Sequence, residues 1–189
     1  MPHEIEVKLE VRNPRVLKRR LVELGLRAIH PRRFESNRLY DFVDGRLRKA
    51  GWVLRLRFAE GGYLLTLKCG PVASPSYKVR QEVETQIGNG ERLSRILQML
   101  GVRETFRYER YRTVYGHRGS SGTRQLAYDE TPFGNYIELE GPRRWIDQTA
   151  GQLGYQRSDY ITLGYPTLYS MRRKRRGRPS KLLSRVHEA

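Results

Sequence analysis

Residues 4 to 11 alternate without a break, with Glu4, Glu6, Lys8 and Glu10 on one face and Ile5, Val7, Leu9 and Val11 on the other. A period of two over eight residues reads as a β-strand with one apolar side, because a helix would scatter the four apolar residues around its circumference. The same alternation returns at Val53 to Phe58, Tyr63 to Cys69, Gln81 to Ile87, Tyr108 to Tyr115, Gln125 to Asp129 and Tyr136 to Glu140. Gly61-Gly62 reads as a tight hairpin turn, and His117 to Gly122 as a looser loop. Short antiparallel strands at this density predict an α+β fold, a barrel or strongly curved sheet with three helices packed outside.

The helices follow strands in a repeated pattern. Asn13 and Pro14 open a helix with Leu17, Leu21 and Leu24 at helical spacing, and Gly25 closes it. Gly88-Asn89-Gly90 opens a second, with Leu93, Ile96, Leu97 and Leu100 before Gly101, and Gly141-Pro142 a third, with Trp145, Ile146, Thr149 and Leu153 before Gly154. Each of the three preceding strands carries two carboxylates two residues apart: Glu4 and Glu6, Glu82 and Glu84, Glu138 and Glu140.

Sorting by parity separates two chemistries. One set of faces holds Leu54, Leu56, Phe58, Leu65, Leu67, Ile137 and Leu139, which can pack beneath helices. The other holds Glu4, Glu6, Lys8, Arg55, Arg57, Lys68, Arg80, Glu82, Glu84, Arg110, Arg112, Asp129, Glu138 and Glu140. A charged face is ordinarily the solvated side of an antiparallel sheet. This one concentrates acids on some strands and arginines on others, and if the sheet closes it becomes a lumen. Arginine forks there would take up phosphate oxygens, and the carboxylates would suit Mg²⁺ or Mn²⁺. Zinc, which prefers His and Cys, has no such set.

The composition agrees. The 189 residues carry 37 Lys plus Arg against 20 Asp plus Glu, a formal charge of +17, which implies anionic partners. No apolar run is long enough for a membrane helix, and a cytoplasmic location is expected. The single cysteine, Cys69, excludes an internal disulfide and reads as a packed residue. The four histidines are scattered and receive no role.

These motifs together resemble the CYTH superfamily, the triphosphate tunnel metalloenzymes, which include class IV adenylate cyclases, thiamine triphosphatases and inorganic tripolyphosphatases. The resemblance rests on Glu4-Ile5-Glu6-Val7-Lys8, on Leu54-Arg55-Leu56-Arg57, on Lys68, Glu82/Glu84 and Arg110/Arg112, and on Asp129 followed by Glu138/Glu140. It runs from residue 4 to about 169, so residues 1–170 are read as one domain and 171–189 as a basic, disordered tail. It implies an eight-stranded antiparallel tunnel with helices outside. Lys8, Arg55, Arg57, Lys68, Arg80, Arg110 and Arg112 would bind phosphate, and Glu4, Glu6, Asp129, Glu138 and Glu140 would hold Mg²⁺ or Mn²⁺. Glu82 and Glu84 would bind a second ion or orient the nucleophile, joining Lys8 in the catalytic set. Asn37, Tyr40 and Asp41 match a segment before the second strand pair, where turn and packing roles are expected.

The implied activity is metal-dependent action on a triphosphate-containing substrate, by a monomer or homodimer. One branch is hydrolysis of tripolyphosphate, thiamine triphosphate or a nucleoside triphosphate; the other is cyclisation of ATP to cAMP and pyrophosphate. Gly164-Tyr165-Pro166-Thr167-Leu168-Tyr169 leans towards the cyclases, and strand parity leaves the branch open. The non-catalytic alternative is a polyphosphate or nucleic-acid binding module. Its support is the tail, where Arg176-Gly177-Arg178-Pro179 resembles an AT-hook core and eight basic residues would add weak nonspecific contact with nucleic acid.

Overall fold

A computed structural model describes residues 3–70, 74–117 and 124–175. In chain order the elements are β1 (His3–Glu10), α1 (Pro14–Glu23), β2 (Arg27–Phe42), α2 (Arg46–Lys49), β3 (Val53–Ala59), β4 (Gly62–Lys68), β5 (Lys78–Ile87), α3 (Gly90–Met99), β6 (Val102–Gly116), β7 (Gln125–Thr131), β8 (Gly134–Glu140), α4 (Arg143–Gln152), a 3₁₀ turn (Arg157–Asp159) and α5 (Tyr165–Arg175). The strands form a closed antiparallel barrel in the order β1-β5-β4-β3-β2-β6-β7-β8. Closure removes the unpaired edges that an open sheet of this size would expose.

Local chemistry explains the three expected helices. Asn13 Oδ1 accepts from the Arg15 and Val16 amides at 3.1 and 3.2 Å, with Pro14 in the first turn. Asn89 caps α3 in the same way through the Arg92 amide, at 2.9 Å. Gly25, Gly101 and Gly154, each following its helix, have φ of 68°, 80° and 79°. That left-handed step lets the amides of Leu26 and Tyr155 reach back to the carbonyls of Leu21 and Ala150, both at 2.9 Å.

Three features correct the expectation from sequence. Among the described residues five α-helices form rather than three: α2 is a four-residue turn, and α5 carries helix from Tyr165 into the basic stretch as far as Arg175. The hairpin turn is Glu60-Gly61, with φ of 51° and 77°, while Gly62 already pairs with Ala59 in the strand. Residues 27–42, which show no alternation, form the sixteen-residue strand β2. Its first half is exposed on both faces, so no apolar stripe marks it, and pairing with β3 from Glu35↔Ala59 to Tyr40↔Leu54 orders its second half. Arg176 onward, with the AT-hook-like segment, lies outside the described residues, as do residues 118–122 of the loop between β6 and β7.

By contact density the chain divides into two compact units. The first comprises Met1–Phe34, Pro71–Arg80 and Arg110–Leu163; the second comprises Glu35–Gly70, Gln81–Glu109 and Gly164–Ala189. In the first, Leu17 and Leu21 of α1 and Ile146, Ala150 and Leu153 of α4 bury against Val7, Leu9, Leu126, Ile137 and Leu139. In the second, Leu93 and Leu97 of α3 pack on Tyr40, Leu56 and Val102, and Tyr165 and Tyr169 of α5 meet the rings of Tyr108 and Phe106 at 5.1 and 5.5 Å. Helices α1, α3 and α4 therefore cover the apolar faces that parity identified.

Candidate active site

The charged face of the first unit is buried. Lys8 is 3% exposed, Glu6 5%, Arg110 2%, Arg112 7% and Asp129 0%, which excludes a solvated sheet surface. Burying charges at this density is tolerable only if each is paired, and each is. Lys8 Nζ lies 3.1 Å from Oε1 of both Glu6 and Glu138. Arg112 grips Asp129 with both arms, Nε to Oδ1 at 2.7 Å and Nη2 to Oδ2 at 2.6 Å, and also reaches Glu138. Arg110 Nη1 donates to Asp129 Oδ2 at 2.8 Å and stands 3.7 Å from Glu138 Oε1. The strand register produces this convergence, because Lys8 pairs with Glu138 across β1 and β8, and Arg112 with Asp129 across β6 and β7.

The electrostatics follow from this packing. Burial alone would push the Glu138 carboxyl up, but Arg112, Lys8, Arg110 and Lys78 outweigh it and hold the group well below the usual carboxylate range. Burial works against a charged Lys8 too, and Glu138 and Glu6 reverse that effect and raise its pKa. Lys8 and Glu138 are thus both held as ions.

The second unit carries a smaller and wetter group. Lys68 Nζ pairs with Glu82 at 2.7 Å, and Arg55 Nη2 lies 3.6 Å from Glu82 and 3.4 Å from Glu84. Thr66 donates to Glu84 at 2.7 Å. Burial raises the Glu84 pKa, while the hydrogen bond from Thr66 and the charges of Arg55 and Arg57 help bring it below its ordinary value. Arg57 stands 3.7 Å from Glu35, which is fully buried on β2.

Of the residues expected from sequence, the first unit brings together Glu6, Lys8, Arg110, Arg112, Asp129 and Glu138, with Glu4, Arg80 and Glu140 on the same strand faces. The second gathers Arg55, Lys68, Glu82 and Glu84, with Arg57 on Glu35. Asp129, expected as a metal ligand, accepts through both oxygens from two guanidinium groups. Lys78 was missed: its ammonium contacts Glu6 and follows the parity of Arg80 and Glu82, but lies before the point where the alternation of β5 was read to begin. Glu35 was missed because β2 was.

The donor set can be tested against a metal ion. Glu6 and Glu140 are direct register partners on β1 and β8, and the Lys8 and Lys78 ammonium groups stand against Glu6. Glu4 precedes Glu6 on that face of β1, and Glu138 precedes Glu140 on β8. Carboxylate oxygens are the donors that Mg²⁺ and Mn²⁺ take, so these four residues fit a hard cation by chemistry. Among the described residues no three His, Cys, Asp or Glu side chains converge as a ready-made ligand set, because lysines and arginines stand between the acids.

Comparison with known proteins agrees with this architecture. The model of the CYTH domain matches residues 2–154. A "putative adenylate cyclase" of Methanocaldococcus jannaschii is 26% identical over 137 residues, covering 72% of this chain and 75% of that protein. A solved "putative adenylate cyclase" of Vibrio parahaemolyticus superposes with a TM-score of 0.75 at 20% identity, over 88% of this chain and 97% of the other. The Hippeastrum "putative adenylyl cyclase", described with a dominant triphosphatase activity, gives a TM-score of 0.62 at 20% identity, over 95% and 98% of the two chains.

Proposed function

As the chain belongs to the CYTH domain family, we propose that it is a metal-dependent enzyme acting on triphosphate-containing substrates. The observation that carries this reading is the pair Arg110 and Arg112, both buried and both locked on Asp129. A buried carboxylate that fixes two guanidinium groups preorganises donors for an anion, and no solvent reorganisation is then needed when negative charge arrives.

Phosphoanhydride cleavage asks for alignment and charge neutralisation more than for covalent chemistry. Lys8, Arg110 and Arg112 are assigned to phosphate oxygens, as are Arg55, Arg57, Lys68 and Arg80. Glu4, Glu6, Glu138 and Glu140 would hold Mg²⁺ or Mn²⁺, which when bound supplies neutralisation of phosphate charge. Asp129 serves as the anchor of the two arginines, and Glu82 and Glu84 are assigned to orienting the nucleophile. The relatives carry both cyclase and triphosphatase descriptions, so hydrolysis and cyclisation are the two outcomes to separate.

Phosphorus-31 NMR with Mg²⁺ or Mn²⁺ separates them. Orthophosphate from tripolyphosphate or thiamine triphosphate identifies a hydrolase. Pyrophosphate with a cyclic phosphodiester from ATP identifies a cyclase. No turnover of any of the three, with tight binding of tripolyphosphate, would replace the enzyme by a polyanion-binding module.

A further inference from the structure

Asn37, Tyr40 and Asp41 sit close together on β2, and two of the three have evident structural work. Asp41 takes the amides of Phe42, Leu47 and Arg48 at 2.7, 2.9 and 3.0 Å, which ties the end of β2 to α2. Tyr40 shares a 2.6 Å hydrogen bond with Ser94 of α3 and belongs to the core of the second unit. Asn37 is different. It is 0% exposed, and neither its amide nitrogen nor its carbonyl oxygen has a hydrogen-bond partner.

An unpaired buried polar atom is destabilising, and this side chain leaves two of them. A leucine of nearly the same shape would avoid that cost, so the amide is unexplained by packing. Its surroundings indicate what it awaits. Asn37 is the register partner of Arg57, and Leu39 of Arg55, which places Asn37 on the arginine-bearing face of this sheet. Glu35, two residues earlier on the same face, stands 3.7 Å from the Arg57 guanidinium.

We propose that Asn37 is a substrate contact, its NH₂ donating to an oxygen of a phosphate chain held by Arg57 and its carbonyl accepting from a hydroxyl beside that chain. A fully ionised phosphate offers acceptors only, so the arginines satisfy it alone and a carboxamide adds nothing. A carboxamide suits a place where an acceptor and an O–H donor meet. The hydroxyl is either a water or a hydroxyl borne by the substrate. This inference rests on the triphosphate reading above.

The test uses Asn37→Leu in the full chain, with three measurements: the melting temperature without ligand, the Kd for tripolyphosphate by calorimetry, and turnover with Mg²⁺. The expected result is an unchanged or higher melting temperature together with at least a tenfold weaker Kd. If turnover of tripolyphosphate and of ATP falls equally, the hydroxyl is water; a larger fall for ATP assigns it to the ribose. A lower melting temperature overturns the proposal, because the amide would then already be satisfied by an internal water. An unchanged Kd overturns it as well. If the leucine variant does not fold, Asn37→Ser is judged on the same readouts. Wild-type protein that fails to bind tripolyphosphate would instead remove the triphosphate reading on which the proposal stands.

Discussion

Lys8 and Glu138 face each other across β1 and β8, with Nζ 3.1 Å from Oε1, and the same carboxylate is shared by Arg112 and Arg110. One acid thus touches three buried bases, which Glu6 and Asp129 also pair. Their opposite charges keep both Lys8 and Glu138 ionised against the pull of burial.

Glu138→Gln removes one of those charges and keeps the shape. Breaking a buried pair from one side costs up to about 3–5 kcal/mol, because the partner cations lose part of their compensation. The variant is expected to melt well below wild type, and tripolyphosphate is expected to raise its melting temperature by more than it raises that of wild type. Thermal unfolding with and without the anion checks this. Equal melting temperatures without ligand would show that Glu138 does not neutralise the basic cluster.

Gly90, in the first turn of α3, lies against Tyr63, and a Cβ added there would clash with the edge of the tyrosine ring. Gly90→Ala has to displace Tyr63 or tilt α3, and overpacking of this kind costs about 1–3 kcal/mol. A matching fall in denaturant midpoint is expected. No fall, despite alanine's better helix propensity, would mean that Tyr63 has room to move.

Asp147 on α4 accepts from Tyr77 at 2.7 Å, Tyr160 at 2.9 Å and Arg157 at 2.5 Å. Burial raises its pKa, but these hydrogen bonds and the Arg157 charge outweigh that and lower it. A depressed carboxylate stabilises the fold above its unfolded pKa, about 3.9, and that contribution disappears as the pH falls through the folded value. Wild type and Asp147→Asn are therefore expected to differ most near neutral pH and to converge below about pH 4. Stability curves across that range would refute the assignment if the gap stayed constant.

At the alkaline end the sign is reversed. Burial, aided by the charge of Glu130, pushes the Tyr128 phenol up to about 12. The unfolded chain releases that proton near pH 10 while the folded chain retains it, so stability falls as the pH rises from about 10 to about 12. Tyr128→Phe is expected to flatten this limb, as read by denaturant titration at high pH. A limb as steep as that of wild type would exclude Tyr128.

Parity in the sequence was enough to separate the two faces of the strands, because side chains alternate sides whatever the tertiary setting. It identified Glu6, Lys8, Arg110, Arg112, Asp129 and Glu138 as one charged set, and the caps at Asn13 and Asn89 with the closing glycines located three helices through interactions within a few residues. Local patterns of this kind survive in any fold compatible with them. Partnership between strands is different, since it depends on register and closure. Only the closed barrel showed that the charged face is buried, that Asp129 is taken by two arginines, and that Lys78 joins Glu6. Strand β2 was hidden for the same reason. Its order comes from hydrogen bonds to β3, and with no apolar stripe of its own it had nothing to show until Asn37 was placed opposite Arg57.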